Sequence, residues 1–149
     1  MQSKITLVLA IISTLLVISC SKQEKGTSAN EVGKNSGSAA TAVIEIASTD
    51  AFNEMVLKSD NTLIVIDLYA DWCGPCKMLS PILNSVAIES SGKAAFYKIN
   101  VDKFPDIAAS FNVRSIPLVV LMKNQKSVVE ILGLRAKEDY LKAVAENQF

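Results

Sequence analysis

From Leu63 to Tyr69 the chain reads Leu-Ile-Val-Ile-Asp-Leu-Tyr, apolar or aromatic at every position except Asp67. A short run with large side chains on both alternating sets suits a central strand buried on both faces, and such a strand needs helices on both sides. The flanking pattern supplies them. Val43 to Ile46 reads as a short strand, and Ser48, Thr49 and Asp50 offer N-caps for a helix carrying Phe52, Met55, Val56 and Leu57. Pro75 opens a helical stretch in which Met78, Leu79, Ile82, Leu83 and Val86 recur at helical spacing as far as Ser90-Ser91-Gly92, with Pro81 inside it as an expected kink. Ala95 to Val101 is the next strand, and a short helix or turn follows around Pro105 to Phe111. The strands Leu118 to Met122 and Ser127 to Leu132 then flank Lys123-Asn124-Gln125-Lys126, which suits a hairpin, before a helix over Ala136 to Ala145. Early β/α alternation favours parallel strands and the late hairpin must be antiparallel, so the expected fold class is α/β, a mixed sheet covered by helices.

A chain of 149 residues, 50% hydrophobic, has room for one such core and not two. Fifteen basic residues balance fifteen acidic ones, so charge points to neither a nucleic-acid partner nor an electrostatic hold on anionic lipid. There is no His, which removes Ser-His and Cys-His catalysis together with the commonest zinc ligand. Three cysteines leave one over.

The odd cysteine is Cys20. Met1 to Ser19 carries Lys4 and then a mainly apolar stretch from Ile5 to Ile18, the pattern of a secretory signal. Val17-Ile18-Ser19-Cys20 resembles a bacterial lipoprotein signal, which implies cleavage after Ser19 and a lipidated Cys20 as the first mature residue. A secreted soluble form and an uncleaved anchor are the alternatives; the apolar stretch of about 14 residues falls short of the roughly 20 that span hydrocarbon. Residues 20–41 read as the lipidated cysteine and a disordered linker of Ser, Gly, Ala, Asn and Lys, with a random-coil span of roughly 25 Å and an extended limit of about 70 Å. The folded domain is expected over residues 42–149.

Trp72-Cys73-Gly74-Pro75-Cys76-Lys77 falls between the buried strand and the next helix. Three chemistries use a C-x-x-C pair. A zinc site would need two more ligands, which a chain without His and with Cys20 beyond a loose linker does not offer. A structural disulfide would close too short a loop to restrict the unfolded chain much. A redox pair fits the placement: at the first turn Cys73 would meet free backbone N–H groups and the positive end of the helix dipole, which favours thiolate and makes it the nucleophile. Cys76, one turn further in, is expected to be more buried, to keep its proton longer and to resolve the mixed disulfide. Pro75 fixes φ at the helix start at no cost in hydrogen bonds. Asp67, six residues before Cys73, is a carboxylate in an apolar strand whose burial would raise its pKa, as suits a proton acceptor; exposure at a strand end is the alternative.

The hexapeptide resembles the thioredoxin active site, and the likeness continues from about Val43 to Phe149 through Ile66-Asp67, Pro81, Lys98-Ile99-Asn100-Val101-Asp102, Arg114-Ser115-Ile116-Pro117 and Gly133. The resemblance implies the thioredoxin fold and a protein thiol-disulfide oxidoreductase needing no cofactor beyond the Cys73–Cys76 couple and no metal. It also implies that Asp67 deprotonates Cys76 with Lys98 close to it, and that Pro117 is cis and faces the cysteines while the Ile116 backbone pairs with substrate. Trp72, Gly74, Pro75, Ile116, Gly133 and Leu134 would form a shallow apolar docking rim. Three positions depart from the family: Leu118 where Thr is frequent, Tyr69 for Trp and Gln125 for Gly. The leading expectation is a monomeric, lipid-anchored reductase of disulfides in exported proteins, in the periplasm or an equivalent space of the bacterial envelope, supplied with electrons by a membrane thiol protein. A disulfide oxidase or isomerase, and a non-catalytic binding module, are the alternatives.

Overall fold

A computed structural model of the protein describes residues 42–148. The expected signal, the lipidated Cys20 and the linker lie outside the described residues. Five strands and four α-helices alternate as β1 (Ile44–Glu45), α1 (Thr49–Phe52), β2 (Leu63–Tyr69), α2 (Gly74–Glu89), β3 (Ala94–Asn100), α3 (Pro105–Ser110), β4 (Leu118–Lys123), β5 (Lys126–Leu132) and α4 (Lys137–Asn147). The sheet order is β1-β3-β2-β4-β5, with β1, β3 and β2 parallel and β4 and β5 antiparallel to their neighbours.

β2 lies at the centre, as its apolar run demands. Leu63, Ile64, Val65, Ile66 and Leu68 are each 2% exposed or less, and burial of such side chains is worth about 1.5 to 3 kcal/mol apiece. Because neighbours on a strand point to opposite faces, Leu63 and Val65 pack with Phe96, Val119 and Leu121 against α2 and α4. Ile64, Ile66 and Leu68 pack with Ile99, Val120 and Met122 against the α1 and α3 side, through Phe52, Val56, Ile107 and Phe111.

The elements differ from the sequence reading at their ends. The Ser48 hydroxyl caps α1 by accepting the Ala51 N–H at 3.0 Å, but after Phe52 the helix widens into a π-helical turn over Asn53–Leu57, closed by the Lys58 N–H on the Asn53 carbonyl. Nothing in the sequence marks that turn. α2 starts one residue earlier than the expected Pro75 and runs through Pro81. α4 is shifted toward the C-terminus, from the expected 136–145 to Lys137–Asn147.

The hairpin is tighter than expected. Lys123 and Lys126 are themselves paired, so only Asn124 and Gln125 form the turn, at φ 50° and 64°. Two successive left-handed residues are the type I′ arrangement, which matches strand twist and favours Asn-Gly. Gln125 sits where Gly would be free of Cβ strain. Gln125→Gly is therefore expected to stabilise the protein by about 0.5 to 1 kcal/mol, the conformational relief exceeding the added entropy of the unfolded chain. A higher urea midpoint with an unchanged slope is the readout.

Candidate active site

The end of β2 delivers the chain into a tight turn, in which the Cys73 N–H bonds the Ala70 carbonyl at 3.1 Å. Cys73 is the N-cap of α2, with extended backbone at φ −78° and ψ 107°. Its Sγ accepts the Cys76 N–H at 3.2 Å. A sulfur there occupies the position of a capping oxygen, where unpaired N–H groups and the helix dipole favour negative charge. Pro75 falls within the first turn, where its lack of an N–H costs nothing. The two sulfurs are joined in a disulfide, with Cα atoms 5.3 Å apart.

Cys73 and Cys76 are almost equally buried in this oxidised form. The two cysteines are 4% and 3% exposed, because the bond draws both sulfurs into one cluster with Ala70, packed by Tyr69, Val101 and Ile116. The Ile116–Pro117 bond is cis, and Pro117 is buried immediately before β4. Its carbonyl accepts the Gly133 N–H at 2.8 Å, which ties the end of β5 to the start of β4.

The expected rim divides. Trp72 is 70% exposed, and Gly74, Pro75 and Leu134 are exposed, whereas Ile116 and Gly133 are half-buried. Trp72 and Ile116 share a cleft of about 390 Å³ with Val101, Val113, Arg114 and Ser115. Trp72 does not lie loose: its Nε1–H donates to Asp102 Oδ2 at 2.8 Å. Gly133 adopts φ +78°, a left-handed conformation that suits glycine. A Cβ on Gly74 would meet nothing within 4 Å, so internal packing does not call for glycine there.

Asp67 lies behind the cysteines. It is 4% exposed, its Oδ1 has no hydrogen-bond partner, and with Cys76, Ser80 and Lys98 it lines a cleft of about 370 Å³. Burial pushes its carboxyl up to about 7, against the opposing pull of the Lys98 charge. The strand-end alternative, with Asp67 facing water, does not hold. Lys98 is paired in register with Asp67 across β2 and β3, but its Nζ bonds Glu45 Oε2 at 3.0 Å instead. Among the described residues, no group of three or more His, Cys, Asp or Glu is placed to hold a metal.

Sequence reasoning missed three contributors. Glu45 holds Lys98; Asp102 anchors Trp72; and Tyr140, 1% exposed, donates its hydroxyl to the Gly133 carbonyl at 3.3 Å while accepting the Arg135 N–H at 3.2 Å. Asp102 stood inside a motif already singled out, yet its role needed Asn100, whose Oδ1 accepts the Asp102 N–H and bends the chain back toward Trp72.

A cysteine pair capping the helix that leaves a buried strand, with a buried carboxylate behind it and a cis-proline strand beside it, defines a dithiol-disulfide site. The thioredoxin family matches residues 43–146. The chain is 41% identical over 91 residues to the thioredoxin of Rickettsia felis, covering 61% of this chain and 86% of that one. It is 34% identical over 105 residues to the thioredoxin of Chlamydia caviae, covering 70% and 99%. An M-type chloroplastic thioredoxin of Spinacia oleracea is 40% identical over 96 residues, which are 64% of this chain and 52% of that protein, so the match spans about half of the plant relative. The crystal structure of Malassezia sympodialis thioredoxin superposes with a TM-score of 0.66 at 29% identity, covering 73% of this chain and 93% of that one.

The chain belongs to the thioredoxin family. Members exchange disulfides through the cysteine pair itself and need no cofactor.

The buried carboxyl links stability to pH. Its pKa is raised from the ordinary 3.8 to about 7, so the folded state holds a proton that the unfolded chain releases between those values. Stability therefore falls as pH rises through that window, by on the order of 4 kcal/mol once Asp67 is ionised. Asp67→Asn removes this penalty. Urea unfolding of the oxidised protein is expected to show the variant more stable than the parent by about 2 to 4 kcal/mol at pH 8 and no more stable at pH 4.

Proposed function

We propose that this protein reduces disulfides in exported proteins by dithiol-disulfide exchange. The observation that carries the reading is the Cys73 sulfur at the N-cap of α2, accepting the Cys76 N–H at 3.2 Å, because that position stabilises the thiolate an attacking group must be. In the reduced protein the Cys73 thiolate attacks one sulfur of a substrate disulfide. The substrate S–S bond breaks, a mixed disulfide forms on Cys73, and one substrate thiolate leaves. Asp67 takes the proton from Cys76, whose thiolate attacks Cys73 Sγ and releases the second substrate sulfur. Two electrons pass to the substrate, and the protein is left with the Cys73–Cys76 disulfide. A pKa near neutrality, as at Asp67, suits a base that must both accept and return a proton at physiological pH.

Docking is assigned to the exposed Trp72 indole, Gly74, Pro75 and Leu134, with the backbone of Ile116 offered to an extended segment beside Pro117. Open space over Gly74 lets a second backbone approach the sulfurs. The reducing direction is supported by Gly74 and Pro75 between the cysteines and by Ile116 before the cis-proline.

The site of action rests on the N-terminal sequence. The resemblance of Val17-Ile18-Ser19-Cys20 to a lipoprotein signal supports a chain held by Cys20 in the bacterial envelope, with residues 42–149 as its catalytic domain. An oxidising compartment would convert the pair to the disulfide, so a membrane thiol protein must return the electrons.

Equilibration with defined dithiol buffers is expected to give a reduction potential close to the roughly −270 mV of thioredoxin. A value above roughly −180 mV would reverse the direction to oxidation or isomerisation. Insulin reduction with dithiothreitol as donor should be abolished in Cys73→Ser, whereas Cys76→Ser should stall as a covalent adduct with substrate, visible by mass spectrometry. A double Ser variant that still complemented a deletion strain would sink the catalytic reading in favour of a binding role.

A further inference from the structure

β1, β3 and β2 lie side by side, and their registers pair Glu45 with Lys98 and Lys98 with Asp67. Side chains in register leave the sheet on the same face. The three ionisable groups thus form one row across three strands, with the ammonium in the middle, on the face where Val43, Val65 and Phe96 enter the core.

The two carboxylates of the row are unequally provided for. Glu45, at the outer end, bonds Lys98 Nζ at 3.0 Å, accepts the Tyr69 hydroxyl at 3.0 Å and lies 3.5 Å from Lys103 Nζ. Asp67, at the inner end, has an unpartnered Oδ1. Tyr69 serves the outer end twice, since its hydroxyl fixes Glu45 and its ring lies under the Lys98 ammonium, 5.2 Å from centroid to Nζ.

We propose that Glu45 is a positioning residue for disulfide exchange: by holding the Lys98 ammonium against Tyr69, it keeps that cation from pairing with Asp67 and so sets the pH range over which Asp67 works. The inference rests on the reading of Asp67 as the proton acceptor for Cys76.

An ammonium within 4 to 6 Å of a buried carboxylate stabilises its charged form strongly. A Lys98 released toward Asp67 would ionise it at lower pH and weaken it as a base. Glu45 is itself kept ionised, its pKa lowered chiefly by the hydrogen bond from Lys98, so the hold persists into mild acid. Direct repulsion between the carboxylates is minor by comparison: two strand spacings put their backbones about 10 Å apart, near the screening length at physiological salt. The other groups facing Asp67 are Cys76, Lys77 and Ser80 from α2, Tyr69 and Asp71 from its own segment, and the Tyr140 phenol from α4; its β4 neighbour Val119 is apolar. Of these, only Tyr69 touches Glu45, through its hydroxyl.

Glu45→Gln in the full chain tests this. The Asp67 carboxyl is followed by carbon NMR titration, and resolution of a Cys73 mixed disulfide is timed in single turnover. The Asp67 midpoint is expected to fall by about one pH unit, and the ratio of the rate at pH 6 to that at pH 8 to rise about fivefold, the change in ionised fraction for such a shift. In a Lys98→Met background the substitution should change neither. An unmoved midpoint, or an equal movement without Lys98, would overturn the proposal. Asp67→Asn separates the two readings. If it leaves the pH–rate profile intact, the proton-acceptor role falls and the titration alone still decides whether Glu45 holds Lys98. If it flattens the profile while Glu45→Gln moves nothing, the acceptor role stands and the role of Glu45 falls.

Discussion

The placement of every functional group depends on the burial of β2 on both faces. A strand clamped between two apolar layers has little freedom to slide or twist, because a slip of one residue would exchange its two sets of side chains. Its last residue therefore emerges at a fixed point, and the Ala70–Cys73 turn starts from there. α2 is held in turn by Leu79, Leu83 and Val86, which pack on the same layer as Val65. The sulfur that caps α2 is thus positioned by a core some distance from it, while the disulfide, one N–H bond and the packing of Ala70, Val101 and Ile116 act on it locally.

The same edge of the sheet collects the remaining parts. The ends of β2 and β3, the start of β4 and the end of β5 all meet there. Each brings a short loop fixed by a polar contact: Asn100 under Asp102, the Pro117 carbonyl on Gly133, and Tyr140 on Gly133 and Arg135. Ligand sites at the carboxyl ends of parallel strands are the rule in open α/β sheets. Here the rule has a local cause, since loops from four strands converge where α2 begins. Asp67 is the exception within this arrangement. It costs stability inside an otherwise apolar strand, and the clamped backbone keeps it from turning toward water.

Much of this was legible in the sequence because apolar periodicity and burial are nearly the same information. β2 matched its expected bounds of Leu63 and Tyr69 because every position in it except Asp67 obeys one rule. The hairpin was misjudged because four polar residues look alike in sequence, and only the pairing of Lys123 with Lys126 reveals that two of them belong to strands. Helix position predicts a greater depth for Cys76 only while the sulfurs are apart, and in the disulfide the two are almost equally buried. Asp67 lies buried in β2 and Cys73 at the first turn of α2, where the sequence puts them, but Glu45 was invisible. Nothing in Val-Ile-Glu-Ile says which strand it will lie beside, and its meaning arises only when β1 aligns with β3. Register is a property of the assembled sheet, and contacts that depend on it stay hidden until the sheet is seen.

Trp72 has a consequence of another kind. It is the sole tryptophan of the chain, it stands next to Cys73, and its bond to Asp102 holds the indole in one orientation over the approach to the sulfurs. Excited at wavelengths too long for its three tyrosines, the molecule therefore emits from a single indole at the working edge, with no second one in the core to mask it. Opening of the disulfide, a change of charge below it or the arrival of another chain would each alter the surroundings of that ring. The protein carries its own optical gauge, readable without a label.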